Sequence, residues 1–394
     1  MDIKKTGLVL ADLHIGALSI HQTYKELDFL KDYLRDKNFS FIIIAGDFFD
    51  KKMYSGEEYI VLAQDIFLCL MSKCEKLRIV EGTRSHDNKQ YSIFKQFTSP
   101  RNDVPWSNID VKIISTVEEE MLFPDMKVLY IPEEYVYDKK EYYKDFLSKE
   151  NEYDYVFGHG IIQEAMTNAV RNTRKSSQQR KKPPVFTTAE LEFISKGEVY
   201  FGHYHVHTNI HDKVFYVGSY SRFHFGEEEP KGFYEIIKDD DKYEHYFIEN
   251  VSTDQYITIA YSYNHKIFQD NVDILEELNK IKKKKKQAGT EHLKLIFNIP
   301  DDYKNSEYFI NVVNETFHGI DDIKIEFVNG YIANKRVVNK EKFQEVKQKF
   351  GYVFDKNAEI EDILSPFIKD RLNRDIPPYK IKKYLTFKAT DLIR

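Results

Sequence analysis

The sequence predicts an α/β protein whose main sheet is covered on both faces. Continuous apolar runs at residues 7–11, 41–45 and 77–80 are typical of strands that are buried on both sides. Stretches with helical spacing of apolar residues, at 27–34 and about 56–74, separate these runs. The chain has 394 residues, of which 42% are hydrophobic, and this suffices for one large domain with one or two small ones.

Composition favours an intracellular protein. Asp12 and His14 interrupt the first apolar run, which is therefore too short and too polar for a signal peptide. No run approaches the roughly 20 apolar residues that span a bilayer. The two cysteines, Cys69 and Cys74, are expected in one helix, at a spacing that suits neither a zinc knuckle nor a secreted disulfide framework. We therefore expect a soluble cytoplasmic protein, with no membrane partner.

The middle of the chain continues the same pattern with shorter elements. Further strands are expected at residues 111–114, 128–131, 153–157, 199–201, 214–218 and 232–237. Thr187 or Thr188 is expected to cap a short helix over 189–194. These elements extend the sheet and place residues 1–250 in one domain.

The pattern changes near Thr253. Strands at 256–263, 293–299 and 323–328 alternate with helices from about residue 272 and near 306–317, which predicts a compact β-α-β-α-β domain over 251–332. Residues 333–394 are expected to contain two amphipathic helices and a basic tail. Such a segment either packs on its own domain or docks on a partner.

Five strand ends finish in residue types that bind metal ions. They are Asp12-Leu13-His14, Gly46-Asp47, the loop Gly82–Asp87, Gly158-His159 and Gly202-His203-Tyr204-His205. In open α/β sheets ligands gather outside the carboxyl ends of the strands, so these side chains are expected to converge. Each alone is ordinary turn or surface chemistry. Five in one chain indicate a single site.

Carboxylates and imidazoles in this combination fit a two-metal centre that hydrolyses phosphodiesters. Two divalent ions about 3.5–4 Å apart activate water and shield the phosphate charge. They require carboxylate ligands, with imidazoles to complete each shell. The candidate ligands are Asp12, His14, Asp47, His159, His203 and His205. A histidine that is not a ligand can protonate the leaving oxygen, and His86 is the candidate.

The order of these motifs resembles that of the calcineurin-like metallophosphoesterases and, within them, the SbcD-like branch of DNA repair and recombination nucleases. The motifs span residues 9–232, and the branch-level resemblance depends on Tyr216-Val217-Gly218-Ser219, Arg222, Phe225-Gly226-Glu227 and Lys231-Gly232. The resemblance implies a β-sandwich flanked by helices, a small capping domain and C-terminal helices. It also implies two divalent metal ions, manganese in the first place, with magnesium as the alternative.

The resemblance further implies a role for each ligand. One metal ion would be held by Asp12, His14, Asp47 and His205, and the second by Asp47, as a bridge, with His159 and His203. His86 would donate a proton to the leaving oxygen, and Asp50 would orient and charge-stabilise it.

One loop departs from the family pattern. The family has Gly-Asn-His-Asp, in which the Asn amide oxygen is a metal ligand, whereas here two residues are inserted and Ser85 precedes His86. The resemblance therefore leaves two replacements for that ligand, Ser85 and Thr83. Arg84 in the same loop is a candidate phosphate contact.

A basic loop lies between two of the ligand motifs. Its cations are Arg171, Arg174, Lys175, Arg180, Lys181 and Lys182. Because the net charge of the chain is −6, a DNA site would have to be a local patch such as this one, although an ordinary surface loop also fits.

We expect from these features a metal-dependent DNA nuclease, and the resemblance implies that it prefers manganese and acts on DNA ends and single-stranded regions, as a double-strand exonuclease and single-strand endonuclease. The resemblance implies that it is the nuclease subunit of a complex with an SMC-like ATPase of the SbcC type, as a homodimer, in a bacterial cell or phage-infected host. Residues 333–394 would be the docking segment. Two alternatives stay open: a DNA-binding structural subunit with a weakened site, and a phosphoesterase for phosphoproteins or small molecules.

Overall fold

The computed structural model describes residues 4–54, 57–87, 89–94, 109–165, 181–269, 272–288, 292–300, 303, 305–320 and 322–329. Contacts divide the chain into two compact units. Within the described residues, the first unit lies in Met1–Ile259, Ile281–Lys294 and Ile320–Lys324, and the second in Ala260–Lys280, Leu295–Gly319 and 325–329. Among the described residues, no helix has both the length and the apolar composition needed to cross a bilayer.

The first of two six-stranded sheets is mixed, with four consecutive parallel strands and two antiparallel strands at one side. In chain order its strands are β1 (Lys5–Leu10), β2 (Phe39–Ala45), β3 (Cys74–Val80), β4 (Asp110–Ile114), β13 (Gly232–Asp239) and β14 (Lys242–Glu249). The spatial order is β14-β13-β1-β2-β3-β4. Strands β1 to β4 pair in parallel, and β13 and β14 continue the sheet antiparallel.

The second six-stranded sheet is also mixed. Its strands are β5 (Glu118–Phe123), β6 (Met126–Ile131), β7 (Tyr153–His159), β10 (Ser195–Gly202), β11 (Thr208–His211) and β12 (Val214–Tyr216). The spatial order is β11-β12-β10-β7-β6-β5, in which β6, β7, β10 and β12 pair in parallel. The short strands β8 (Ile161–Ile162) and β9 (Val185–Phe186) form a separate parallel pair.

Alternation along the strands decides what each sheet buries. Val9 and Ile43 of the first sheet share one core cluster with Tyr155 and Tyr200 of the second, so the two sheets face each other. The other face of the first sheet packs against helices α1 (Ile20–Leu34) and α2 (Glu58–Met71). The outer face of the second packs against α3 (Lys139–Leu147) and α4 (Thr188–Ile194). The mixed α/β class is therefore confirmed.

One expectation about the cysteines is wrong. Helix α2 ends at Met71, and Cys74 is the first residue of β3, where it pairs with Phe39. Cys69 and Cys74 therefore do not share a helix, because pairing with β2 extends the strand beyond its apolar run. Both cysteines are free thiols. The cap of α4 is as expected, since Thr187 forms a capping box with Glu190.

The residues after Thr253 form the expected order of elements. They are β15 (Tyr256–Tyr261), α5 (Ile274–Ala288), β16 (His292–Ile299), α6 (Ser306–Phe317) and β17 (Ile323–Asn329), with sheet order β15-β16-β17. Alternate residues of β16 are buried, and α6 buries Phe309 and Val313. The proposed docking segment, 333–394, lies outside the described residues.

Candidate metal centre

The candidate ligands stand where parallel strands end. Asp12 follows β1 and Asp47 follows β2, while His159 ends β7 and His203 follows β10. Because the carboxyl ends of parallel strands meet at one edge, these side chains come together between the two sheets. Ligand atoms within 4.8 Å of one another form four three-residue groups among the described residues. We call Asp12, His14 and His205 the first group and Glu133, His159 and His203 the second group. The other two are Asp12, Asp47 and His159, and His14, Asp50 and His86.

The backbone is bent sharply at four of these positions. Seven non-glycine residues of the described chain have positive φ, and four of them are candidate ligands: Asp12 (49°), His14 (44°), Asp47 (47°) and His203 (106°). Such conformations cost about 1–3 kcal/mol each and persist where the surrounding structure enforces them. Here the Asp12 carboxylate accepts the His203 N–H at 3.0 Å. Positive-φ backbone in the described chain is thus concentrated at the candidate ligands, although Lys89, Asn151 and Asp240 also adopt it.

The first group brings two imidazole nitrogens face to face. His14 Nε2 lies 3.1 Å from His205 Nε2, 3.9 Å from Asp12 Oδ1 and 3.8 Å from Asp47 Oδ2. Burial lowers the pKa of His14 to about 3, so its ring is neutral and can offer a lone pair. Neutral imidazole beside buried carboxylates is a donor set that divalent metal ions bind.

A second carboxylate fixes the ring of His205. Glu227 Oε1 lies 2.9 Å from His205 Nδ1, and Glu227 Oε2 accepts the Phe223 N–H at 2.7 Å. Burial opposes ionisation of Glu227, but the hydrogen bonds from His205 and Phe223 and the charge of Lys231 together outweigh burial and lower the pKa of Glu227 to about 2. Lys231 is fully buried and donates to the His205 carbonyl at 2.7 Å. With Nδ1 engaged by Glu227, His205 presents Nε2 to the site.

The second group contains a residue that the sequence analysis missed. Glu133 is 7% exposed, and its Oε2 lies 3.3 Å from His203 Nδ1 and 3.9 Å from His159 Nε2. His159 Nδ1 is 2.9 Å from the Ala45 carbonyl, which leaves Nε2 to face the carboxylates. Glu133 follows β6 directly after Pro132, the same placement as the other ligands, and that placement was the available signal.

Asp47 lies between the two groups. Its Oδ2 is 3.3 Å from His159 Nε2 and 3.8 Å from His14 Nε2. Burial favours its neutral form, but the neighbouring histidines, His159 above all and also His14 and His86, together outweigh burial and hold the pKa of Asp47 well below its usual range. The same pair raises the pKa of His159 against the effect of burial. A buried carboxylate therefore stays charged at a position shared by both groups.

The loop after β3 contacts Asp47 through Thr83 and not through Ser85. The Thr83 N–H donates to Asp47 Oδ1 at 2.6 Å, and its Oγ1 lies 3.1 Å from Asp47 Oδ2 and 3.2 Å from Glu133 Oε2. Ser85 is exposed. A Cβ at Gly82 would lie 2.3 Å from the Asp47 nitrogen, so glycine permits this approach. The chain then turns, as the N–H groups of His86 and Asp87 both donate to the Thr83 carbonyl. Of the two candidates for this position, Thr83 therefore lies beside the candidate ligands Asp47 and Glu133, whereas Ser85 is exposed.

Asp50 contacts His86 through its backbone carbonyl, and its carboxylate also lies within 4.8 Å of a ring nitrogen of His86. His86 Nδ1 donates to the Asp50 carbonyl, whereas the Asp50 carboxylate lies 3.7 Å from His14 Nδ1. The His86 ring is 4.6 Å from that of His14, centroid to centroid. The buried Asp87 carboxylate accepts the N–H groups of Gly82 and Phe49 and so holds the loop in place.

Only some of the candidate DNA-binding cations lie in the described chain. Arg84 is exposed and its guanidinium carbon lies 4.5 Å above the Tyr135 ring. Lys181 Nζ lies 5.2 Å above the Tyr137 ring, and Lys182 exchanges two backbone hydrogen bonds with Val136. The remaining four, Arg171, Arg174, Lys175 and Arg180, lie outside the described residues.

Comparisons with known proteins add little to this geometry. No protein-family model and no curated protein matches the sequence. One solved structure aligns over 62% of this chain and 99% of its own, at 11% identity and a TM-score of 0.36. That similarity is too low to bear on family or function.

Proposed function

We propose that this chain is a metal-dependent phosphodiesterase of the calcineurin-like metallophosphoesterase family, and a DNA nuclease of its SbcD-like branch. The observation that carries the proposal is the position of Asp47. Its Oδ2 lies within 3.8 Å of His14 Nε2 on one side and 3.3 Å from His159 Nε2 on the other. A carboxylate shared between two groups of imidazoles fits a centre for two divalent ions better than any single-ion site.

The donor set fits manganese, with magnesium as the alternative, because its oxygens and imidazole nitrogens suit both borderline and hard divalent ions. One ion would be held by Asp12, His14, Asp47 and His205, and the other by Asp47, His159, His203 and Glu133, with Thr83 beside them. When bound, the two ions supply an activated water and shield the phosphate charge.

The residues around the ions perform the remaining tasks. The Nδ1–H group of His86 donates a hydrogen bond to the Asp50 carbonyl, and this contact fixes the orientation of the ring. When the ring is protonated, Nε2 can give a proton to the leaving oxygen. Asp50 orients His86 through its backbone. Its carboxylate, 3.7 Å from His14 Nδ1, also supports a ligand.

Several features favour DNA as the substrate. Arg84 lies in the loop that carries His86, and Lys181 belongs to the basic stretch between two ligand motifs. Cations at these places would contact phosphates on either side of the scissile bond and make binding salt-dependent. We further propose that residues 333–394 dock on an SMC-like ATPase of the SbcC type, that the nuclease acts as a homodimer, and that it works in the cytoplasm.

The alternative of a weakened structural subunit has lost its main support. It depended on Ser85 as a poor replacement for the family asparagine, whereas Thr83 and Glu133 bring two oxygens to that position. A phosphoesterase for phosphoproteins or small molecules remains the second candidate, because the same ion centre would serve it.

A single set of assays separates these functions. Purified protein is incubated with labelled single- and double-stranded DNA, and separately with a phosphopeptide, in manganese, magnesium or chelator. The proposal predicts DNA cleavage that requires the metal ion and little turnover of the phosphopeptide. Efficient phosphopeptide turnover with inert DNA would reverse the assignment. Metal binding without turnover of either substrate would support the structural subunit.

A further inference from the structure

A cavity of about 750 Å³ opens beside the metal centre. Its wall is built by the loop after β3, the residues after β4, the segment after β6 and the start of α3. A cavity of this size is within the range of sites for small organic ligands. None of the catalytic roles proposed above uses it.

The cavity shares residues with the metal centre. Gly82 and Glu133 line it, and Glu133 Oε2 lies 3.3 Å from His203 Nδ1 and 3.2 Å from Thr83 Oγ1. A group seated in the cavity would therefore be next to a phosphate bound at the ions. Part of the substrate that flanks the scissile bond is the natural occupant.

Three tyrosines and three basic residues stand on the wall of the cavity: Tyr135, Tyr137 and Tyr142, with Arg84, Lys89 and Lys181. Tyr137 is 72% exposed and Tyr142 is 43% exposed, which is unusual for large aromatic side chains. Arg84 stacks 4.5 Å from the Tyr135 ring centroid, and Lys181 Nζ lies 5.2 Å from that of Tyr137. Exposed rings with neighbouring cations are the surfaces on which unstacked bases bind.

The acidic residues of the wall are engaged by protein groups. Glu134 accepts the Val117 N–H at 2.9 Å, Asp138 caps α3 by accepting the Lys140 N–H at 2.8 Å, and Glu141 lies 2.6 Å from Lys144 Nζ. Six acidic residues line the cavity against three basic ones, so its interior disfavours a phosphate, whereas the exposed Arg84 and Lys181 can contact phosphates that stay outside it. Together with Ser115 and Thr116, the carboxylates suit a neutral planar group that has hydrogen-bonding edges.

We propose that this cavity receives the base of an unpaired DNA nucleotide adjacent to the scissile phosphate, stacked on Tyr137. The inference rests on the proposed nuclease function and adds the part of the substrate that the ions do not contact. Extracting a base from a duplex costs a few kcal/mol, and least where the base is already unpaired. The cavity therefore favours single strands and frayed ends over intact duplex.

The test uses the full chain with single-stranded oligonucleotides that carry 2-aminopurine at successive positions. Binding is measured in manganese in the His86→Ala background, so that cleavage does not interfere. We expect fluorescence quenching at one position, its loss in Tyr137→Ala and its retention in Tyr137→Phe, which keeps the ring. Removal of one stacking ring should weaken DNA binding by about tenfold. Tyr246→Ala, at an exposed tyrosine of β14 that is 52% accessible, is the matched control.

Equal affinities and equal quenching in Tyr137→Ala, Tyr137→Phe and Tyr246→Ala would overturn the proposal. A strand built of tetrahydrofuran residues has phosphodiesters but no bases, and the enzyme with native His86 should cleave it at one rate whether residue 137 is tyrosine or alanine. If the native enzyme cleaves no strand at all, the proposed nuclease function fails. The fluorescence result still decides the base site in that case.

Discussion

Glu133 Oε2 and His203 Nδ1 lie 3.3 Å apart, which joins a carboxylate that follows β6 to an imidazole that follows β10. Burial opposes the charge on Glu133, but the hydrogen bond with His203 and the nearby imidazoles of His159 and His203 together outweigh burial and lower the pKa of Glu133. An ionised, buried carboxylate at this place adds an anionic ligand to the second group. With Glu133 present, the second group has an oxygen ligand although this chain lacks the asparagine whose amide oxygen binds metal in the family pattern.

The first prediction follows from that contact. Glu133→Gln keeps the shape of the side chain but removes its charge, so affinity for the second manganese ion should fall by about tenfold or more, as for other perturbed ligand shells. Titration by calorimetry or by metal analysis after dialysis measures this. Glu134→Gln, one residue on, is the matched control. Two ions bound with unchanged affinity in Glu133→Gln would remove Glu133 from the ligand set.

His86 is expected to act in proton transfer and not in metal binding. His86→Ala should therefore lower the DNA cleavage rate by about 10²–10⁴-fold while the bound metal and the DNA affinity stay nearly unchanged. Single-turnover cleavage and metal analysis of the same preparation report the two effects. His211→Ala removes an exposed histidine paired with Glu192 and should behave as the native chain. An unchanged rate in His86→Ala would exclude the role.

Thr83 and Ser85 make opposite predictions although they are two residues apart. Thr83→Val retains the volume but removes the hydroxyl beside Asp47 and Glu133, so metal affinity and kcat should both fall. Ser85→Ala alters an exposed side chain and should leave both unchanged. Ser85→Ala therefore serves as the control for Thr83→Val, because it changes a residue of the same loop. The reverse result would favour Ser85 as the ligand.

Glu26 should make stability depend on pH. It is buried, and burial raises its pKa from 4.5 to about 7, although hydrogen bonds from Ser221 and Thr253 act in the other direction. Between pH 4.5 and about 7 the unfolded chain loses this proton while the folded chain keeps it, so rising pH lowers stability across that window. Glu26→Gln should therefore stabilise the protein at pH 8, by at most about 3 kcal/mol, relative to its effect at pH 4.

Urea unfolding of native protein and Glu26→Gln at pH 4 and pH 8 tests this. The difference in unfolding free energy between the two proteins should be more favourable to the variant at pH 8. A pH-independent difference would show that the carboxyl ionises equally in the folded and unfolded chains.

The C-terminal segment is expected to carry the partner. Truncation after Asn339 should abolish co-purification with the ATPase and retain basal manganese-dependent cleavage, because the candidate ligands and His86 all precede residue 206. Pull-down and cleavage assays on one preparation check both halves. Continued co-purification would refute the docking assignment.

The sequence predicted strands well where both of their faces are buried. Strands β1 and β2 end in runs of apolar residues, and in β3 only Arg78 interrupts such a run, whereas β5 begins with three glutamates, β14 mixes charged and aromatic residues, and helix α3 is rich in lysine and tyrosine. These last three elements were not predicted, since their stability comes from pairing or packing at one face and not from a local apolar run.

The site followed the same division. Four candidate ligands could be found from the sequence, because each stands at the end of a strand that its apolar residues predict to be buried. They are Asp12, Asp47, His159 and His203. Glu133 stands at such an end too, but a single glutamate after proline carries no distinctive spacing. Its role emerges only where β6 lies beside β7 in the second sheet.

The sequence alone thus determined the α/β class and the set of strand ends that carry candidate ligands. Tertiary structure decided which atoms meet: Thr83 instead of Ser85, the Asp50 carbonyl on His86, and Glu133 beside His203. The physical reason is that strand formation depends on the local apolar pattern, whereas the positions of side chains in a loop depend on the backbone hydrogen bonds that shape the loop. In the Gly82–Asp87 loop, two N–H groups share the Thr83 carbonyl, and that turn directs Thr83 toward Asp47 and leaves Ser85 exposed.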